Sequence, residues 1–158
     1  PVTPAGQVAI PPMPVTLARL RLFYPVLEPI IHGEYQLTFM NLTPRKLTEW
    51  FGEPANIEEY VSDVSGNRES VYRFEAGEFL FESSSAGEPF IKLAKLKSPI
   101  LETRRGIKVG ATKADVEKAY GTFLYRSDGE WWTGDAPCLA FVFQGDIVRE
   151  IRYIFVSE

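Results

Sequence analysis

The sequence has one cysteine, one histidine, no excess of basic charge and no long apolar run, and each lack removes a class of function. Cys138 alone cannot form an internal disulfide or a cysteine-rich metal site. It sits in the apolar run Cys138-Leu139-Ala140-Phe141-Val142-Phe143, where a thiol is expected to be buried and inert. His32 alone excludes a multi-histidine metal centre, and its neighbour Gly33 points to a turn. A net charge of −4 argues against non-specific nucleic-acid binding, which needs a basic excess to neutralise phosphates. No apolar stretch reaches the length of a membrane-spanning helix. Nucleophile-elbow, phosphate-loop and dinucleotide-binding patterns are all missing, so no cofactor is expected.

What is present is architectural. Thr112 followed by Asp115 is a helix-capping pattern; Val116, Ala119 and Tyr120 form one apolar stripe, and Gly121 ends it. An earlier stretch repeats the plan: Thr43 caps, Pro44 takes the first helical position, Leu47, Trp50 and Phe51 make the stripe, and Gly52 stops it. Thr43 to Thr112 and Gly52 to Gly121 are the same distance apart, and that offset also carries Tyr72 onto Phe141 and Phe74 onto Phe143. The expected fold is therefore α+β in two similar halves, each a short helix packed on an antiparallel β-meander.

Taken in order, residues 1–14 hold five prolines and are expected to be an extended tether. Opening at Pro1 without Met, the sequence is expected to have lost something by processing or trimming, and no signal-peptide pattern is legible in it. The first repeat is placed at 15–90 and the second at 91–158. Strands are predicted at 35–39, 56–61, 71–75, 78–82, 90–97, 100–103, 123–126 and over a hairpin from 139 to 156. On the last strand, alternation puts Ile147, Ile151, Tyr153 and Phe155 on one side and Val148, Glu150, Arg152, Ile154 and Val156 on the other. Lys92, Lys95 and Lys97 read as edge-strand protection, as do Arg104, Arg105 and Lys108.

Gly106-Ile107-Lys108-Val109-Gly110 leading into Thr112–Gly121, with Thr43 through Gly52-Glu53-Pro54, resembles the tandem-repeat fold of the beta-lactamase inhibitor protein family and the related small outer-membrane assembly lipoproteins. The resemblance covers about two thirds of the chain at pattern level. It implies an exported, extracytoplasmic protein of the periplasm or cell surface, touching a membrane only through an N-terminal lipid anchor. It implies binding of other proteins through sheet faces and loops. The single cysteine departs from the inhibitor, which carries disulfides, and no inhibitory loop can be matched. Absence of a disulfide by itself leans toward a reducing compartment.

Tyr125, Trp131 and Trp132 are the candidate binding residues for a protein partner or small ligand. In an extended stretch Trp131 and Trp132 face opposite sides, so at most one is fully packed in the core and the other lies at a surface. The expected function is a non-enzymatic binding module. The alternatives are a structural cell-envelope component or a hydrolase using paired carboxylates such as Asp128 with Glu130, or Glu58 with Glu59. A calcium site at Asp128, Glu130 and Asp135 has no supporting spacing.

Overall fold

A computed structural model describes residues 27–83, 87–121, 124–134 and 137–156. The tether expected over 1–14 and the start of the first repeat lie outside these residues. Helix α1 spans Pro44–Phe51 and α2 spans Lys113–Tyr120. Both begin as the capping chemistry dictates. Thr43 Oγ1 accepts from Lys46 N–H at 3.1 Å. Thr112 Oγ1 accepts from Asp115 N–H at 3.1 Å while Asp115 returns a carboxylate to Thr112 N–H at 3.0 Å. Those bonds hold the Asp115 carboxyl below the usual aspartate range. Gly52 and Gly121 end the helices at positive φ. Neither helix is long and apolar enough to cross a membrane.

Eleven strands are described: β1 Ile30–His32, β2 Tyr35–Leu37, β3 Asn56–Val61, β4 Arg68–Phe74, β5 Gly77–Ser83, β6 Phe90–Leu96, β7 Glu102–Thr103, β8 Tyr125–Ser127, β9 Glu130–Trp132, β10 Cys138–Gln144 and β11 Ile147–Ile154. Eight form one antiparallel sheet in the order β3-β4-β5-β6-β11-β10-β9-β8, and β2-β1-β7 form a small second sheet. Thus α1 is followed by one four-stranded meander and α2 by another, joined where β6 pairs with β11. The protein is mixed α+β, with far more strand than helix.

The helices share one face of the large sheet. Leu47 of α1 and Val116 and Tyr120 of α2 are buried in the same cluster as Phe79, Phe81, Ile91, Leu96, Phe141, Ile151 and Tyr153. The aromatics of β4 and β5 meet on this face: Tyr72 lies edge-on to Phe81 at 5.7 Å, and Phe74 to Phe79 at 6.0 Å. Across the other meander, Tyr120 lies 5.2 Å from Phe141.

Two β-bulges overturn details of the sequence reading. The β10–β11 register shifts after Val142, so Val142 pairs with Glu150 and Phe143 with Val148, leaving Arg149 unpaired. Val148 is consequently buried and Ile147 exposed, the reverse of simple alternation. In the β5–β6 pair a shift after Leu80 leaves Lys92 as the extra residue. The lysines at 92, 95 and 97 do not guard an edge, because β6 lies in the middle of the sheet and Lys92 is buried. Two predicted strands also shorten. Residues 100–103 contribute only β7, which joins the small sheet. The strand at 35–39 ends at Leu37 because the Asn41 side chain accepts from Thr38 N–H at 2.7 Å and donates to Gln36 O at 2.9 Å, closing a turn.

Gly77 opens β5 against the neighbouring strand. A Cβ there would lie 2.1 Å from the Lys95 carbonyl oxygen. Gly77→Ala is therefore expected to cost ~3 kcal/mol. At Gly145 the same change meets open space and only a positive φ, so Gly145→Ala is expected to cost ~1 kcal/mol. Urea unfolding of both variants measures the difference.

Candidate functional site on the sheet face opposite the two described helices

Strand alternation sends half of each strand away from the helices, and the register aligns those side chains into rows. Val71, Leu80, Leu93, Ile154 and Cys138 are successive cross-strand partners, an apolar row across five strands. Beside it runs a second row, Asn56–Arg73–Glu78–Lys95–Arg152–Ala140–Trp132–Tyr125, which touches all eight strands. Its charges are largely paired: Arg73 with Glu58 at 3.0 Å and with Glu78 at 3.5 Å, and Arg152 with Glu130 at 3.8 Å and also with Glu150. No described helix packs on this face.

The row ends in aromatics. Tyr125 and Trp132 are direct cross-strand partners, with Tyr125 66% exposed and Trp132 half-buried. Trp131 points to the other face. It packs at 4.8 Å against Phe143, lies beneath the Arg126 guanidinium at 4.4 Å and the Lys113 ammonium at 5.9 Å, and is buried. The structure thus brings Tyr125 and Trp132 together and separates Trp131 from them. Arg152, two strands inward on the same row, was not legible as a site residue. Only register places it beside Ala140 and Trp132.

The carboxylate pairs do not assemble. Glu58 and Glu59 are successive residues of β3 and face opposite sides; Glu58 engages Arg73, and Glu59 reaches Arg68 at 4.0 Å. Asp128 is exposed in the β8–β9 turn, while Glu130 is held on the sheet by Arg152. Asp135 lies outside the described residues. Among the described residues no group of three His, Cys, Asp or Glu side chains could hold a metal ion.

A second polar feature on this face escaped the sequence reading. The bulge turns Lys92 onto the Glu69–Glu82 cross-strand pair, with Nζ 2.9 Å from a carboxylate oxygen of each. Asn67 donates to Glu82 at 2.6 Å. All three charged residues are buried. Burial opposes ionisation of Glu82, but the Asn67 and Lys92 hydrogen bonds outweigh it and hold its carboxyl below the ordinary glutamate range. Tyr60, desolvated and bonded to Glu69, is raised above the usual phenol range. Without the bulge, Lys92 would share a phase with neither carboxylate, and no motif announces the arrangement.

No family model matches the chain. Neither does any curated protein or solved structure.

The ionic cluster makes a signed prediction. A depressed Glu82 pKa adds stability above the ordinary glutamate range, and that stability is lost as pH falls through the depressed value. Lys92→Met strands two buried carboxylates and is expected to cost about 3 kcal/mol or more at neutral pH. With the Lys92 bonds gone, burial weighs against the Glu82 carboxylate, so the variant should regain stability on mild acidification while the native protein does not. Urea melts across a pH series measure both slopes.

Proposed function

We propose that the chain is a non-enzymatic, exported binding module of two similar halves that engages a protein partner through the face of its large sheet opposite α1 and α2. The single observation that carries the reading is the cross-strand pair Tyr125–Trp132, which leaves a broad aromatic surface accessible at one end of that face. Trp, Tyr and Arg dominate the energetics of protein interfaces, and Arg152 lies in the same row. The half-buried apolar row beside them supplies area that a partner can desolvate, and the paired charges flanking it suit a polar rim.

Duplication of the halves is supported by the two Thr-capped, Gly-ended helices and by the hairpins that follow them. At the helix-to-helix offset the hairpin β4–β5 falls on β10–β11, turn on turn, with Tyr72 and Phe74 over Phe141 and Phe143 on the helix-bearing face. Strand β9 then falls on the last residue of β3 and the start of the β3–β4 loop. The resemblance to beta-lactamase inhibitor protein and the outer-membrane assembly lipoproteins, together with the proline-rich first residues, supports export and attachment by an N-terminal lipid. The carboxylates named for the hydrolase alternative are otherwise engaged or apart: Glu130 is engaged by Arg152 and Asp128 stands in an exposed turn.

A photo-crosslinking amino acid at position 125 tests the reading, with position 147 as an exposed control on the other end of β11. Expected is a discrete cell-envelope protein captured from 125 and not from 147. Trp132→Ala should then weaken binding of that protein by about 2 kcal/mol, measured by titration calorimetry with the purified pair. Equal capture from both positions, or unchanged affinity in a folded variant, would remove the aromatic surface from the account.

A further inference from the structure

We propose that the outer edge of β3 accepts an extended, basic segment of another protein as an additional strand, lengthening the large sheet at the end opposite Tyr125 and Trp132. This is a second interaction surface, independent of the aromatic one.

Strand β3 ends the large sheet, and among the described residues nothing pairs with its outer side. It is six residues long, pairs with β4 over its whole length without a register shift, and is exposed at every position. The opposite edge, β8, has three residues. A long, regular edge presents a row of free N–H and C=O groups, which is what strand addition uses. Edges that serve only to end a sheet are short, bulged or polar on both sides. This one carries Ile57 at 46% and Val61 at 65% exposure on the helix side, and Tyr60 at 43% on the other.

The ground beside it is open. Between α1 and the sheet lies a shallow groove of about 490 Å³ lined by Pro44, Arg45, Thr48, Glu49 and Tyr72. Tyr72 is the cross-strand partner of Ile57, so the groove opens next to that residue of β3. A strand added at the usual spacing of about 4.8 Å would set its helix-side residues against Ile57 and Val61.

Charge chooses the occupant. From Glu53 to Val64 the chain holds Glu53, Glu58, Glu59 and Asp63 and no basic residue. Two copies of β3 paired antiparallel, centred on Glu58, on Glu59 or between them, set carboxylate against carboxylate, which is unfavourable. A second copy of this chain is thereby disfavoured. Glu58 and Glu59 remain more than half exposed despite their arginine partners on β4, so cations from an incoming strand can reach them. The fitting segment has basic residues at its centre and apolar ones on either side.

The probe is an acetylated, amidated peptide, Val-Tyr-Lys-Lys-Ile-Thr, compared with the same peptide carrying Glu-Glu at its centre. The basic peptide should bind at least about tenfold more tightly by calorimetry. It should slow amide hydrogen exchange within Asn56–Val61 and leave β8 unchanged. Glu58→Lys/Glu59→Lys, checked for folding by circular dichroism, should invert the preference, whereas Trp132→Ala should not alter it. Equal affinity for the two peptides, binding of neither, or protection outside β3 would overturn the proposal; the comparison on the unaltered protein decides even if the double variant does not fold. Loss of the aromatic site alone would show as failed capture at position 125 with peptide binding intact.

Discussion

The antiparallel pairing of β6 with β11 is the contact on which the architecture depends. It sets Leu96 against Ile151 and Ala94 against Tyr153, and so turns two four-stranded ribbons into one sheet. A ribbon with one small helix across it would bury little apolar surface. Joined, the two ribbons give both helices a common floor, and the fully buried side chains Phe79, Phe81, Leu96, Phe141 and Tyr153 come from strands of both meanders. The Tyr153 hydroxyl reaches the Pro29 carbonyl at 3.3 Å, linking this seam to the residues just before β1. Tyr120 hydrogen-bonds Glu28 at 2.7 Å and anchors the same segment to α2. Burial keeps both phenols protonated, well above the ordinary tyrosine range.

With α1 and α2 on one side, side chains of the strands line the opposite face among the described residues. The protein finishes it with alternating rows, one apolar and one of matched charges, and with a buried lysine between two glutamates. Most of the exposed pairs contribute little to stability, but they fix which side chains stand beside which. The buried group differs, since a lone charge there would be costly and its partners set its value. The same alternation delivers Tyr125 and Trp132 to one end and leaves β3, unsheltered by α1, at the other.

Much of this is legible in the sequence alone. The caps at Thr43 and Thr112, the stripes behind them and the glycine stops specify both helices, because each signal acts within one or two turns of chain. The hairpins around 75–76 and 145–146 and the inward aromatics of β4 and β5 follow from period-two patterning between turn residues. The opposite orientation of Trp131 and Trp132 follows from strand geometry alone. Three readings failed or were incomplete for one reason. Val148 and Ile147 exchanged roles, Lys92 went inside, and Arg152 joined the aromatic row because bulges and strand order, which no local pattern records, reset the phase of a strand.

The sequence by itself determined the two capped helices, the strands of the long hairpins and the choice of residues able to face a core, since those depend on neighbours a few positions away. The tertiary structure alone decided which strands became edges, which lysine was buried between carboxylates and which aromatic met which. Those outcomes depend on register and strand order across the sheet, where residues far apart in the chain come within a single strand spacing.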